Sequence, residues 1–342
     1  MNSPISSHLF KRVILQSGVA DTYWSYMTIN QAEQRFTRFL RNLKQINANA
    51  QLFENKDVIK YIKECNVKDI LSSQYSTKSA VMIFPWVPST DGELIKMHIH
   101  DFNYYNETTD ISEKTSNNSI PSHDVMLGYN ENEGTYWLIY ALSKLLLSEN
   151  MVYPKIFFEK DLNFLLKDIP RKYKSKINFY YNYDEKKDYS FSQKIKLLDK
   201  LLGDFAFICP TINFARKLES KYKSTKNVQN VILLYVLKYR ARNEPWPSWL
   251  GVIHGSDIQW IFGNPLDTRS NYTKQEKELA IKMITIWSDF AKNGSSELDP
   301  NWHSFKKNDC LEISETGELK YTTIDKDDIC TLWDRIRDQT KY

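Results

Sequence analysis

Two residues able to exchange protons stand just beyond apolar runs of this chain. Val231-Ile-Leu-Leu-Tyr-Val-Leu237 is short, nearly all apolar and rich in branched side chains, as expected of a strand buried on both faces of a sheet. Beyond it, Trp246-Pro-Ser-Trp-Leu-Gly-Val-Ile-His254-Gly-Ser-Asp-Ile-Gln-Trp-Ile-Phe-Gly263 places one histidine in a loop between two apolar elements, where a general base belongs. Val125-Met-Leu-Gly-Tyr129 is a second apolar run, and it ends in the polar turn Asn130-Glu-Asn-Glu133-Gly134. Glu133 sits where that turn opens a helix. A lone histidine beside glycine and aromatics serves packing more often than catalysis, so the acid matters: it can hold a base in one tautomer and stabilise it once charged.

An acid after one strand and a histidine after a later one are the last two members of a Ser, Asp/Glu, His series that is read in that chain order. The first member should be a serine in a Gly-x-Ser-x-Gly elbow, and no such pentapeptide occurs in these residues. Other elements must position the pair. Arg12 to Gly18 reads as a strand ending at glycine. Ala32, Phe36, Leu40 and Leu43 recur at helical spacing as one apolar face, and Asp57 to Cys65 is a second short amphipathic helix. Ser72 to Asp91, with Pro85 and Pro88, reads as a loop, and the Asn/Ser/Thr-rich stretch from Asp101 to His123 as a surface excursion. Leu142 to Leu147, Leu162 to Ile169, and Ile195, Leu198, Leu202 with Phe205 mark a run of helices. Thr273-Lys-Gln-Glu276 is a capping box ahead of a stripe at Leu279, Met283, Trp287 and Phe290 that Gly294 ends. Leu311 to Ile313 and Leu319 to Tyr321 suggest a hairpin around Thr316-Gly317, and Ile329, Trp333 and Ile336 a final helix.

Composition narrows the function classes. The chain has 342 residues, 42% of them hydrophobic, enough for a sizeable core. The balance of 46 Lys+Arg against 42 Asp+Glu is too even to argue for nucleic acid or an anionic membrane as partner. No run of about 18 apolar residues suggests a membrane span, and Met1 to Phe10 lacks the basic start and apolar middle of a signal peptide. Cys65, Cys209, Cys310 and Cys330 have no metal-ligand spacing, and complete pairing could join them in three ways. His98 and His100 share one face of a strand, a spacing that can bind metal, but no third ligand is near in sequence and no metal site is assigned. Asn106, Asn117, Asn271 and Asn293 head Asn-x-Ser/Thr sequons.

Leu15-Gln-Ser-Gly18, Gly128-Tyr-Asn-Glu-Asn-Glu-Gly134, Phe207-Ile-Cys-Pro210, Pro245-Trp-Pro-Ser-Trp249, Gly251-Val-Ile-His-Gly255 and Asn271-Tyr-Thr273 occur in the order and approximate spacing of the cholinesterases. The chain resembles the C-terminal part of an acetylcholinesterase-like type-B carboxylesterase, beginning shortly after that family's nucleophile elbow. The resemblance implies the C-terminal portion of an α/β-hydrolase fold, a partial sheet with flanking helices forming one incomplete domain over 1–342. It implies a parent that hydrolyses acetylcholine-like esters through an acyl-serine, with Glu133 as acid and His254 as base, no cofactor, and no activity in this chain alone. The rival readings are a general carboxylesterase and a non-catalytic, neuroligin-type adhesion protein. By match to the family's motifs, Tyr136, Trp137, Tyr140, Phe207 and Trp246 would line an aromatic gorge able to hold a quaternary ammonium. Trp24, Met82 and Phe84 would form the acyl pocket. Two positions depart from the pattern: Ser256 replaces the tyrosine after the histidine-glycine pair, and Ser73 the outer-rim tryptophan. The resemblance further implies a Cys209–Cys330 disulfide, a secreted or cell-surface location with its signal in an N-terminal half, glycosylation, and a homodimer through a four-helix bundle drawing on the Ile195–Phe205 helix and the C-terminal helix.

Bulk at Met82 and Phe84 would remove volume opposite the nucleophile, so a parent enzyme should prefer acetyl over butyryl esters by roughly tenfold to a hundredfold. Methionine makes the limit soft, because its thioether can move aside. Met82→Ala should relax the preference; equal kcat/KM values for the two esters in the parent would show that these residues do not shape the pocket.

Overall fold

The computed structural model describes residues 1, 6–46, 55–75, 84–91, 94–95, 123–141, 152–167, 169–224, 230–295, 302, 304–306 and 308–339. The chain divides into two compact units, one of Met1–Tyr23 with His100–Tyr342, the other of Trp24–Ile99.

The larger unit is built on a five-stranded sheet in the order β1 (Arg12–Gln16), β2 (Asp124–Asn130), β3 (Ile232–Leu237), β4 (Asp309–Ile313), β5 (Leu319–Thr323). The first four are parallel, and β5 returns antiparallel on β4 across the turn at Gly317, which has φ 75°. Strand β3 is buried at every residue, and β2 from Val125 to Asn130, as their continuous apolar sequences require. Alternation assigns the two faces. Met126, Leu233, Tyr235, Leu237, Leu311 and Ile313 share a core with Leu279, Ala280, Met283, Ile286, Trp287 and Phe290 of the helix Lys274–Asn293. That helix starts at the expected capping box, with both reciprocal hydrogen bonds, and ends at Gly294 with φ 82°. Val125, Leu127, Leu234 and Val236 point the other way, and the helix Cys209–Ser224 packs on β2 and β3. Gly128 faces Tyr235 across β2 and β3, and a Cβ there would come 2.3 Å from that ring.

Further helices of this unit include α4 (Thr135–Ala141), α5 (Lys155–Leu165), α6 (Arg171–Tyr180), α7 (Phe191–Gly203) and the C-terminal helix Asp327–Gln339. The expected helix at Leu162–Ile169 is the second half of α5 and ends at Leu165, closed by Leu166 and followed by Pro170. Helix α6 had no expectation: its buried face is only Tyr173 and Ile177 within a lysine-rich stretch, too sparse a stripe to read. After α7 the backbone widens into one π-helical stretch, Asp204–Ile208, before the helix Cys209–Ser224. The stretches 101–122 and 142–147 lie outside the described residues.

In the smaller unit the described helices are α1 (Ile29–Ile46), α2 (Asn55–Glu64) and α3 (Val67–Tyr75). The face that α1 buries is Arg35, Phe39 and Leu43, whereas the expected Phe36 is 39% exposed. Arg35 explains the shift: its guanidinium donates to the Phe84 carbonyl at 2.8 Å, so a charged side chain occupies a position that an apolar count passes over. Ser72–Tyr75, expected in a loop, is the last turn of α3.

Cys209 and Cys330 form a disulfide spanning 121 residues, joining the two helices that carry them. Cys310 is a buried free thiol, pushed up to about 12 chiefly by burial. Reducing the bridge, or Cys330→Ser, should destabilise the chain by about 2–5 kcal/mol; unchanged urea midpoints for the oxidised and reduced protein would contradict this.

Candidate active site

Strands β2 and β3 are parallel neighbours, so the chain leaves both at the same edge of the sheet. Open α/β sheets place their sites at the carboxyl ends of strands for this reason. The turn after β2 carries Glu133 and the loop after β3 carries His254, and a parallel bridge between Asn132 and Ile253 holds the two together. His254 Nδ1 lies 2.7 Å from Glu133 Oε2. A carboxylate only accepts, so the proton of this bond belongs to Nδ1, and Nε2 keeps its lone pair.

Glu133 is completely buried. Its Oε1 accepts from the Asn130 backbone N–H at 2.7 Å and from the hydroxyl of Ser17, so three donors surround the carboxylate. Ser17 follows β1 with φ 52°, an unusual backbone for serine, and its hydroxyl donates to Glu133. Leu15-Gln-Ser-Gly18 was legible as a motif; the role of its serine was not.

His254 is partly exposed, and its ring packs against Tyr136, with centroids 4.9 Å apart, and Phe207 at 4.7 Å. Trp137 stacks on Phe207 at 6.2 Å. Burial works against the imidazolium, but the hydrogen bond and charge of Glu133, joined by the charge of Asp257, outweigh it and hold the pKa above its ordinary 6.5. Asp257 is itself buried behind the histidine loop, accepting from Gln16 at 2.7 Å and Tyr235 at 3.1 Å. Ser256, where the family pattern has tyrosine, is buried with its hydroxyl unpartnered.

The structure thus brings together Glu133, His254, Tyr136, Trp137 and Phe207. Trp246 is 40% exposed, with its carbonyl accepting from Arg240. Trp24 and Phe84 lie in the smaller unit, edge to face at 5.9 Å. The side chain of Tyr140, together with Met82, His98, His100, Asn106 and Asn117, lies outside the described residues. Asn271 and Asn293 are exposed. Among the described residues no three His, Cys, Asp or Glu side chains cluster in a way that could hold a metal.

A cavity of about 610 Å³ opens beside the acid turn, lined by Asn132, Thr135 and Asp199 and by the ion pairs Lys238–Glu312 and Lys326–Asp204. Asp199 is buried and pushed up to about 7, by burial above all, with the negative charges of Asp204 and Glu133 adding; its hydrogen bonds from Asn132 and the Thr135 backbone oppose the shift.

The carboxylesterase family profile matches residues 1–333. The chain belongs to the carboxylesterase family. Its mixed sheet, with four parallel strands and β5 antiparallel, flanked by helices, is an α/β-hydrolase fold. The chain is 28% identical to an acetylcholinesterase of Leptinotarsa decemlineata over 89% of its own length and 46% of that protein's. It is 25% identical to an acetylcholinesterase of Danio rerio and 24% identical to one of Electrophorus electricus, each over 97% of this chain and 55% of the relative. The chain therefore spans about half the length of the curated relatives it matches.

Ser17→Ala would leave a buried carboxylate oxygen of this carboxylesterase-family chain short of a donor, at a cost of about 1–3 kcal/mol; a urea titration showing no loss would contradict that. His254 has its own pH signature. Because its folded pKa is raised, its contribution to stability is fully present below the unfolded value of about 6.5 and is lost as pH rises through the folded one. His254→Ala should flatten that part of the stability profile, and an unchanged profile would show that the histidine has no charged partner.

Proposed function

We propose that this chain supplies the acid and base of a cholinesterase-type serine ester hydrolase. The observation that carries the reading is the 2.7 Å hydrogen bond from His254 Nδ1 to the buried carboxylate of Glu133, with two aromatic rings against the imidazole. His254 Nε2 would accept the proton of a serine hydroxyl as that oxygen attacks the ester carbonyl. Glu133 would stabilise the imidazolium, which then gives the proton to the departing alcohol. Water would repeat the sequence on the acyl-serine. Tyr136, partly exposed beside the imidazole, would offer a π face suited to a choline-like leaving group, whose cation needs no fixed counter-ion there, while Trp137 and Phe207 are buried.

No Gly-x-Ser-x-Gly elbow is present in the chain, so the nucleophile of this reading comes from a longer product. The Cys209–Cys330 disulfide supports an oxidising, secreted or cell-surface setting, and the exposed Asn271 and Asn293 are the described candidates for glycans.

The chain by itself should neither hydrolyse acetylthiocholine above a denatured control nor become labelled by an organophosphate. Labelling of one serine in this chain would contradict the assignment. In a longer product carrying the elbow, His254→Ala should lower kcat by about a thousandfold or more. Turnover that survives that change would sink the reading, and a replaced elbow serine would favour the adhesion alternative.

A further inference from the structure

We propose that Asp199, on helix α7, is the positioning residue for both members of the acid–base pair: through Asn132 and Thr135 its carboxylate fixes the turn that carries Glu133 and the loop that carries His254. The inference deepens the reading of Glu133 and His254 as acid and base, and rests on it.

Both carboxylate oxygens are used. Asp199 Oδ2 accepts from Asn132 Nδ2 at 2.8 Å, and Oδ1 accepts from the backbone N–H of Thr135 at 3.0 Å. Glu133 is held between those two residues. Asn132 then reaches across to the histidine loop twice: its backbone N–H donates to the Val252 carbonyl at 3.0 Å, and its Oδ1 accepts from the Val252 N–H at 2.9 Å. The Thr135 hydroxyl lies 2.9 Å from the Leu250 carbonyl and 2.7 Å from that of Asn132. His254 lies two residues beyond Val252. One carboxylate therefore orders, in a single hydrogen-bonded chain, the backbones that set both Glu133 Oε2 and His254 Nδ1.

Backbone approach makes the arrangement tight. A Cβ on Gly134 would stand 2.1 Å from the Asp199 carbonyl oxygen and 2.7 Å from the Gly203 nitrogen, so the acid turn rests directly on α7. A Cβ on Gly251, at φ 68°, would stand 2.1 Å from Asn132 Oδ1, so the histidine loop rests directly on the turn. Neither loop can shift alone. Asp199 is only 4% exposed, and burying a carboxyl among the carboxylates Glu133 and Asp204 is unfavourable enough to push it up to about 7. An amide in its place could accept from Thr135 but would turn an N–H toward the N–H of Asn132. Above about pH 7 the ionised side chain accepts at both oxygens, as the two donors require.

The test follows His254 by ¹⁵N NMR in the full 342-residue chain labelled at histidine, over pH 5–9, with urea stability measured on the same samples. Wild type should titrate above the ordinary value of about 6.5 with the proton on Nδ1, and E133Q should lower it. D199N should bring His254 to about 6.5 or below and mix its tautomers. N132A, which breaks the bridge without changing any charge, should mix the tautomers as well. The double variant D199N/N132D, which exchanges donor and acceptor, should restore the Nδ1–H form. A folded D199N or N132A whose His254 titrates and tautomerises as in wild type would overturn the inference while leaving the acid–base pair intact, even if stability fell. Failure of the double variant to restore the tautomer would also overturn it. A wild-type His254 indifferent to E133Q would overturn the reading beneath it.

Discussion

Glu133 carries a carboxylate with no solvent exposure, and the architecture around it is the set of elements that make such a group tolerable. A buried charge needs donors in fixed places. One comes from the end of β1 as the Ser17 hydroxyl, one from the end of β2 as the Asn130 N–H, and one from the loop after β3 as His254. Three neighbouring strands of one parallel sheet therefore converge on a single side chain. Parallel pairing is what allows this, because all three chain segments emerge at the same edge.

In the proposed reading, the interaction that satisfies the buried Glu133 is also the one that would orient the base. The bond that satisfies Glu133 Oε2 also selects the tautomer in which His254 Nε2 can accept a proton, and the charge that Glu133 brings keeps the imidazolium favourable despite burial. Asp257 adds negative charge behind the loop while its Oδ2 accepts from both Gln16 and Tyr235. The rings of Tyr136 and Phe207 pack against the imidazole.

Much of this was legible in the sequence, and for a physical reason. Buried parallel strands need continuous apolar runs, so β2 and β3 announce themselves, and the residues just beyond them are where a site must be. The Thr273 capping box, the apolar stripe after it and the β4–β5 hairpin were equally local signals. The motifs quoted from the cholinesterases added the pairing of Cys209 with Cys330. What local patterns could not carry was the polar support. Ser17 and Asp199 act on residues distant in the chain, and although a motif surrounds Ser17 its role was not readable there; Asp257, three residues past His254, is held by Gln16 and Tyr235 from other strands. Phe36 and Arg35 show the same limit: a hydrophobic count rotated helix α1 because it could not foresee a guanidinium held by the Phe84 carbonyl. Helix α6 escaped because two buried residues among lysines make too thin a face.

The most direct measurement of the central claim is a double-mutant cycle between Glu133 and His254 in urea unfolding, using E133Q, H254A and the double variant, at pH 6 and at pH 9. A buried pair of this geometry should show a coupling of about 1 kcal/mol or more at pH 6, where the imidazole is charged, and a smaller one at pH 9, where it is neutral. Additive single-variant effects at both pH values would contradict the account.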